Sequence, residues 1–130
     1  MKDPTKAASL VRDHIAQTMG TEHYYRAFPP SLKFTDGIKF VADTCQAHWL
    51  VTAIASHQRI AIPPEVGFQV WELAGPKTED KPWILSCWSD TPGESTLLAR
   101  QEIEYSDFPK ELLPFRMWVE GNVLLLPAEH

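Results

Sequence analysis

Apolar positions recur with a helical period in the first part of the chain. Between Leu10 and Met19 they return every three or four residues, after an Asp3 that can cap a helix and a Pro4 that suits its first turn. Gly20 follows the last of these positions, where a glycine commonly ends a helix. The pattern therefore predicts a first helix that stops at the segment "GTEHYYR".

A second helical region runs from Gly37 to Gln58 and is predicted to hold two consecutive helices. Thr35 or Asp36 opens the first of them, and the pattern breaks between Thr44 and Ala47. In "AHWLVTAIASHQ" apolar residues occur on nearly every side, which is typical of a helix buried on most of its surface. One stripe stays polar, because four polar residues follow at helical spacing: Cys45, His48, Thr52 and Ser56.

Beyond Pro63 and Pro64 the pattern changes to that of β-strands. Turn residues separate strand-like runs in "GFQVWELA", "KPWILSCWS", "STLLARQEIEYSDF", "FRMWV" and "NVLLLP", which predict four to five strands. Helices first and strands afterwards indicate an α+β fold, with the helices packed on one face of an antiparallel meander sheet. We predict a single domain over residues 1–130, mainly helical in 1–62 and mainly strands in 66–127.

Alternation along these strands predicts which aromatic side chains lie on the surface. If the core takes the alternate apolar residues of "FRMWV", then Arg116 and Trp118 both point outward. A surface tryptophan next to an arginine is typical of protein interfaces, and a tryptophan covered by a loop is the alternative. The run "FQVWEL" is apolar on both faces, which makes Trp71 a further candidate.

Composition narrows the classes of partner. The 12 basic and 17 acidic side chains give a net charge of −5, and there is no run of lysines or arginines, which argues against nucleic-acid binding. The start "MKDPTKAAS" lacks the apolar core of a signal peptide, and no apolar run approaches the ~20 residues of a membrane span. We therefore expect a soluble cytoplasmic protein, with no membrane contact and with Cys45 and Cys87 as free thiols.

The segment "GTEHYYR" holds several side chains that can act in catalysis or binding. Glu22 and His23 could form a general acid/base pair beside the guanidinium of Arg26. In an extended segment, however, Glu22 and His23 face opposite ways, which splits the pair. The alternative is structural, with Tyr24 or Tyr25 anchoring the chain to the core through its ring.

Neither metal nor nucleotide motifs are evident. The metal-ligating candidates are His23, Asp43, Cys45, His48 and His57, but the chain offers no HxxxH and no HExxH spacing. The nucleophile elbow GxSxG and the phosphate-binding loops GxxxxGK[ST] and GxGxxG do not occur either. We predict no metal site and no cofactor.

Six blocks resemble an uncharacterised domain family of bacteria and their phages: "GTEHYYR", "FTDGIKF", "WLVTAIASHQ", "FQVW", "RQEIEYSDFP" and "VLLLP". The likeness covers residues 20–127, apart from the loop 76–82. It departs from the family at Ala27, where a histidine is frequent, and at His48, where an aromatic is frequent, so neither position is expected to host chemistry shared by the family. The resemblance implies a small α+β protein encoded near phage or mobile-element genes, and it implies no activity.

Together these observations predict a protein that binds another protein or a second copy of itself, and that is more an accessory protein than an enzyme. The candidate contact residues are Trp118, Arg116, Trp71, Tyr24 and Arg26. The alternative is a small hydrolase with a pocket between Glu22/His23 and His48/His57. A flat apolar patch would favour binding, whereas a cleft that joins those four residues would favour catalysis.

Overall fold

The computed structural model describes residues 4–17, 21, 23–28, 32–63, 65–76, 78, 81–104 and 106–130. The helices in these ranges are α1 (Pro4–Gln17), α2 (Asp36–Thr44) and α3 (His48–Ile60). The strands are β1 (Tyr24–Arg26), β2 (Lys33–Thr35), β3 (Phe68–Ala74), β4 (Trp83–Trp88), β5 (Leu97–Ile103), β6 (Phe115–Glu120) and β7 (Val123–Leu125). Two short 3-10 turns cover Lys110–Leu112 and Pro127–Glu129.

The strands form one seven-stranded mixed sheet in the order β1-β2-β7-β6-β3-β4-β5. Neighbouring strands are antiparallel, except that β2 and β7 are parallel. The α+β class is confirmed, but the predicted antiparallel meander of four to five strands is wrong. The five strands read from the sequence are β3 to β7. The two additional strands, β1 and β2, have three residues each, too few to show an alternating pattern; β7 is equally short, but the turn residues "EGN" before it mark its start in the sequence.

The hydrophobic core lies between the helices and one face of the sheet. Alternate residues of the long strands point into it, and α1, α2 and α3 close it with Val11, Ile38 and Ile54. The buried strand residues of this core are Trp71 and Leu73 of β3, Trp83, Leu85 and Cys87 of β4, Phe115, Met117 and Val119 of β6, Leu124 of β7 and Phe34 of β2. We call the opposite side of the sheet the outer face.

The start of α2 and the break before α3 lie where the sequence predicts them, whereas α3 continues to Ile60, two residues past the predicted end at Gln58. Thr35 caps α2, and its side chain accepts a hydrogen bond from the Ile38 amide at 3.4 Å. Between α2 and α3, Gln46 adopts a φ of 52°, which breaks the helical path. The predicted stop at Gly20 lies outside the described residues. Among the described residues, none of the helices α1, α2 and α3 has the length and apolar content needed to cross a membrane.

Candidate functional site on the outer face of the sheet

A single row of apolar residues crosses the outer face. Strand register places one residue from each of five adjacent strands in this row: Leu125 of β7, Trp118 of β6, Val70 of β3, Trp88 of β4 and Leu97 of β5. We call these five residues the apolar row. They do not belong to the core that the helices cover. The row therefore forms an apolar strip on the side of the sheet away from the helices.

Val70 and Leu125 are buried, so the accessible surface of the row belongs to Trp118, Trp88 and Leu97. Val70 is in register with both Trp118 and Trp88, and it is only 5% exposed because these large side chains flank it. Both tryptophans are half-buried, whereas Leu97 is 46% exposed. A register shift between Cys87 and Trp88 brings Leu97 opposite Trp88.

Trp118 is held from two sides. Its ring packs edge-to-face against Phe68 at 5.5 Å between centroids and against His130 at 5.3 Å, both at 72° between planes. Edge-to-face contacts of this kind fix the orientation of aromatic rings. The indole is thus a preorganised and partly accessible apolar surface at the middle of β6.

Opposite charges flank Trp118 along β6. Arg116 and Glu120 lie on the same face as Trp118, one pleat to either side of it. The Arg116 Nε atom lies 2.9 Å from Glu72 Oε2 on β3, and the Glu120 Oε1 atom lies 2.8 Å from His130 Nε2. Both side chains remain partly accessible, at 49% for Arg116 and 41% for Glu120. A guanidinium paired with a carboxylate thus lies on one side of Trp118, and a carboxylate in contact with an imidazole lies on the other.

Trp71, a further sequence candidate, is part of the core. The register that directs Trp118 and Arg116 outward directs Trp71 toward the helices, where it is fully buried. Its indole Nε1 donates a hydrogen bond to Gln69 Oε1 at 2.8 Å. The ring is therefore not accessible to a partner on the outer face, which corrects its nomination as a contact residue.

Gln69 is the centre of a buried polar network. Its side chain exchanges two hydrogen bonds with Gln58 of α3, both at 2.8 Å. The Cys87 thiol lies 3.7 Å from the same Gln69 Oε1 atom, and burial raises the pKa of Cys87 to about 12. This network satisfies the polar atoms that β3 turns toward the helices, so its role is structural.

Tyr24 and Arg26 lie at the edge of the sheet, on the outer side of β1. Tyr24 is 59% exposed, and Arg26 is exposed as well. Tyr25, between them, faces the core and stacks on Phe34 at 5.5 Å between centroids. Strands β2 and β7 separate β1 from Trp118. The edge pair thus belongs to the outer face but not to the apolar row.

Asp36 connects β1 to the start of α2. Its carboxylate accepts hydrogen bonds from the His23 backbone amide at 3.1 Å and from the Tyr25 hydroxyl at 3.0 Å. The hydrogen bond to Asp36 raises the pKa of Tyr25. The imidazole of His23 lies 3.6 Å from the same carboxylate and is mostly exposed. Glu22, its proposed catalytic partner, lies outside the described residues.

His48 and His57 are not brought together. They are nine residues apart on α3, so they point to nearly opposite sides of the helix and are roughly 13 Å apart along its axis. His48 Nε2 contacts Asp43 Oδ1 at 2.7 Å, and His57 Nε2 contacts Gln101 Oε1 at 2.8 Å. Two histidines placed in this way do not share a cleft.

The predicted polar stripe on α3 is shorter than expected. Cys45 caps the end of α2 and is buried, so it does not continue the line of His48, Thr52 and Ser56. Within the described part of the chain, no group of three or more His, Cys, Asp or Glu side chains is placed to hold a metal ion.

Glu129 is a site residue that the sequence patterns did not indicate. Its Oε1 atom accepts hydrogen bonds from the Thr35 hydroxyl at 2.6 Å and the Leu126 amide at 2.9 Å, and its Oε2 atom accepts one from the Gly37 amide at 3.0 Å. The carboxylate thereby occupies the positive end of the α2 dipole. One local feature of the sequence points to this contact: Gly37 lies in the first turn of α2, although glycine is a poor helix former.

Two cavities open on the outer side of the molecule. The first, of about 360 Å³, is lined by Thr21, Tyr24, Thr35, Glu120, Val123, Leu125, Glu129 and His130. The second, of about 620 Å³, is lined by Ala74, Gly75, Thr78, Lys81, Pro82, Ile84, Arg100 and Glu102. His23, His48 and His57 line neither of them, so the residues of the hydrolase hypothesis do not converge on these cavities.

The described residues define an α+β protein with helices on one face of a mixed sheet and an apolar row on the other. The chain belongs to a family of unknown function (DUF6876), whose model matches residues 9–130. No curated protein and no solved structure matches the chain.

Proposed function

We propose that this protein is a protein-binding module and that the apolar row is the centre of its contact surface. The observation that carries the proposal is the row itself: five apolar residues in register across a face that the core does not use, with Trp118 and Trp88 half-buried among them. Contiguous apolar strips of this kind mark interaction sites in soluble domains.

The residues around the row match the anatomy of an interface. Binding energy concentrates in tryptophan, tyrosine and arginine near the centre of a contact, surrounded by a polar rim. Here Trp118 is central, Arg116 and Glu120 flank it, and Tyr24 lies at the edge of the same face. Trp118 is also preorganised by Phe68 and His130, which reduces the entropy lost on binding.

The charged residues beside the row suggest the chemistry of the partner that we propose. It should present an apolar strip of its own, with an acidic group opposite Arg116 and a basic group opposite Glu120. Because the sequence blocks resemble those of bacterial and phage proteins, we extend the proposal to a phage or mobile-element setting. Proteins encoded beside this chain are therefore the first partners to test.

Site-specific photo-crosslinking in the native host tests the proposal. A photoreactive aromatic amino acid replaces Leu97, an exposed member of the apolar row, and in a control chain it replaces Arg59, an exposed residue on α3. We expect a discrete crosslinked product from position 97, absent from position 59, and lost when Trp118→Ala is added. The product is identified by mass spectrometry.

Two results would overturn the proposal. One is a failure to crosslink from position 97 in a chain that folds like the parent. The other is the same set of products from positions 97 and 59, which would show non-specific collision. A product that persists at full yield in the Trp118→Ala chain would remove Trp118 from the surface.

A further inference from the structure

Strand β6 carries a pattern that is complementary to itself. On the outer face it presents a base, an apolar ring and an acid in order, as Arg116, Trp118 and Glu120. Reversing the direction of the strand exchanges the base for the acid and keeps the ring at the centre. The partner described above, with an acid opposite Arg116 and a base opposite Glu120, thus has the same chemistry as this face.

We propose that the apolar row binds a second copy of this chain about a two-fold axis that runs along the row. Such an axis stacks β6 of one copy antiparallel over β6 of the other. Trp118 then meets the partner's Trp118, and Arg116 meets the partner's Glu120. This inference rests on the proposed function, because it uses the same surface and adds the identity of the partner.

The two-fold axis forms each ion pair twice. In an isologous interface, if residue i contacts residue j of the partner, then j contacts i of the partner. Arg116 and Glu120 lie about 13 Å apart along the strand, so each is about 7 Å from Trp118 and clears the central rings. Their contacts with Glu72 and His130 hold both charged groups at this face and leave them partly accessible.

The size of the outer face places this contact in the class of small interfaces. Five strands at about 4.8 Å spacing give a width of about 24 Å. The outward residues Arg116, Trp118 and Glu120 of β6, with their registered neighbours, define three parallel rows, which give a length of about 20 Å. Two such faces bury about 1,000 Å² in total, which is at the lower limit for specific complexes. The structure therefore assigns a reversible, concentration-dependent dimer, and sheets packed face to face at about 10 Å accommodate the tryptophans.

Charge reversal in separate chains tests the pairing. Sedimentation-velocity measurements give the dimer dissociation constant of the parent and of the single variants Arg116→Glu and Glu120→Arg. We expect each variant alone to dimerise at least about tenfold more weakly, because each homodimer places like charges together twice. An equimolar mixture of the two variants should regain the association of the parent, because both cross-pairs are then of opposite charge.

The mixture separates pairing between chains from damage within one chain. Arg116→Glu also places a carboxylate beside Glu72, but damage within that chain is not repaired by adding a chain that is altered at position 120, so it would not give full recovery in the mixture. Arg59→Glu, an equal change of charge on α3, is the matched control and should leave the dissociation constant of the parent unchanged. Thermal melts verify that every chain is folded.

Two outcomes would overturn the dimer. One is a parent chain that stays monomeric up to millimolar concentration, and the other is a mixture that associates no better than either variant alone. These failures are distinguishable from failure of the proposed function. A parent chain that stays monomeric but crosslinks from position 97 to a different protein would sustain binding by the apolar row and reject self-association, whereas loss of every crosslink would reject both.

Discussion

Glu129 and Gly37 lie 92 residues apart in the chain, yet the Glu129 carboxylate accepts a hydrogen bond from the Gly37 amide at 3.0 Å. The carboxylate also binds the hydroxyl of Thr35, the residue that caps α2. The turn after β7 is thereby joined to the start of α2. This turn also carries His130, which packs on Trp118, so the same junction positions one wall of the apolar row.

The close approach at this junction requires glycine at position 37. A Cβ atom there would lie 2.6 Å from Glu129 Cδ and 2.8 Å from Leu126 Cδ1. We therefore expect Gly37→Ala to lower the free energy of unfolding by about 1–3 kcal/mol through overpacking, although alanine is the better helix former by about 1 kcal/mol. Urea unfolding followed by circular dichroism measures the change.

Gly67→Ala is the matched control. A Cβ atom at Gly67 meets no heavy atom within 4 Å, so this substitution should be neutral within about 0.5 kcal/mol. If Gly37→Ala proved as stable as the parent, the tight packing of Glu129 and Leu126 against α2 would be contradicted.

The parts of the fold that the sequence predicted are those with local signals. Thr35 as a helix cap and the break before His48 follow from a few neighbouring residues, and β3 to β7 are long enough to show their pattern or follow a turn. The parallel pairing of Lys33 with Val123 joins distant segments through very short strands. No local pattern encodes such a pairing, and the predicted meander was therefore too small.

The two tyrosines of β1 should differ sharply in their effect on stability. Tyr25 stacks on Phe34 and donates to Asp36, whereas the Tyr24 side chain is 59% exposed. We expect Tyr25→Ala to lower the free energy of unfolding by about 2–3 kcal/mol, because a partly buried aromatic ring and its hydrogen bond are both lost. Tyr24→Ala should change it by about 0.5 kcal/mol or less.

Denaturant melts of both variants measure this difference, and Tyr25→Phe isolates the hydroxyl. Tyr25→Phe should lose about 1 kcal/mol, since it keeps the ring and removes only the bond to Asp36. Equal losses for Tyr24→Ala and Tyr25→Ala would contradict the assignment of Tyr25 as the core-facing residue of "GTEHYYR".

The candidate site was predictable only where the sequence pattern of a strand distinguishes its two faces. In β6 only one face is fully apolar, so alternation alone directs Trp118 and Arg116 outward. In β3 both faces carry apolar groups, and the sequence did not distinguish the buried Trp71 from the outward Val70. Gln69 determines which face of β3 the helices cover, because its side-chain amide forms two hydrogen bonds with that of Gln58 on α3.

Cys87 should make the stability of the protein depend on alkaline pH. Its thiol is fully buried, and burial raises its pKa from 9.0 to about 12. Between these values the unfolded chain releases a proton that the folded chain retains, so ionisation favours the unfolded state. The stabilising contribution is complete below about pH 9 and is lost as the pH rises toward 12, with a slope of at most about 1.4 kcal/mol per pH unit.

Comparison with Cys87→Ala separates this effect from the titration of tyrosines and lysines. Alanine carries no ionisable group, and the cost of its smaller volume does not vary with pH. The free energy of unfolding, measured by urea melts under reducing conditions at pH 8, 9, 10 and 10.5, should therefore fall more steeply in the parent than in Cys87→Ala. The gap between the two chains should be constant near pH 8 and should narrow above pH 9. Parallel profiles would mean that the thiol is accessible to solvent and that the packing of β4 against the helices is looser than the structure shows.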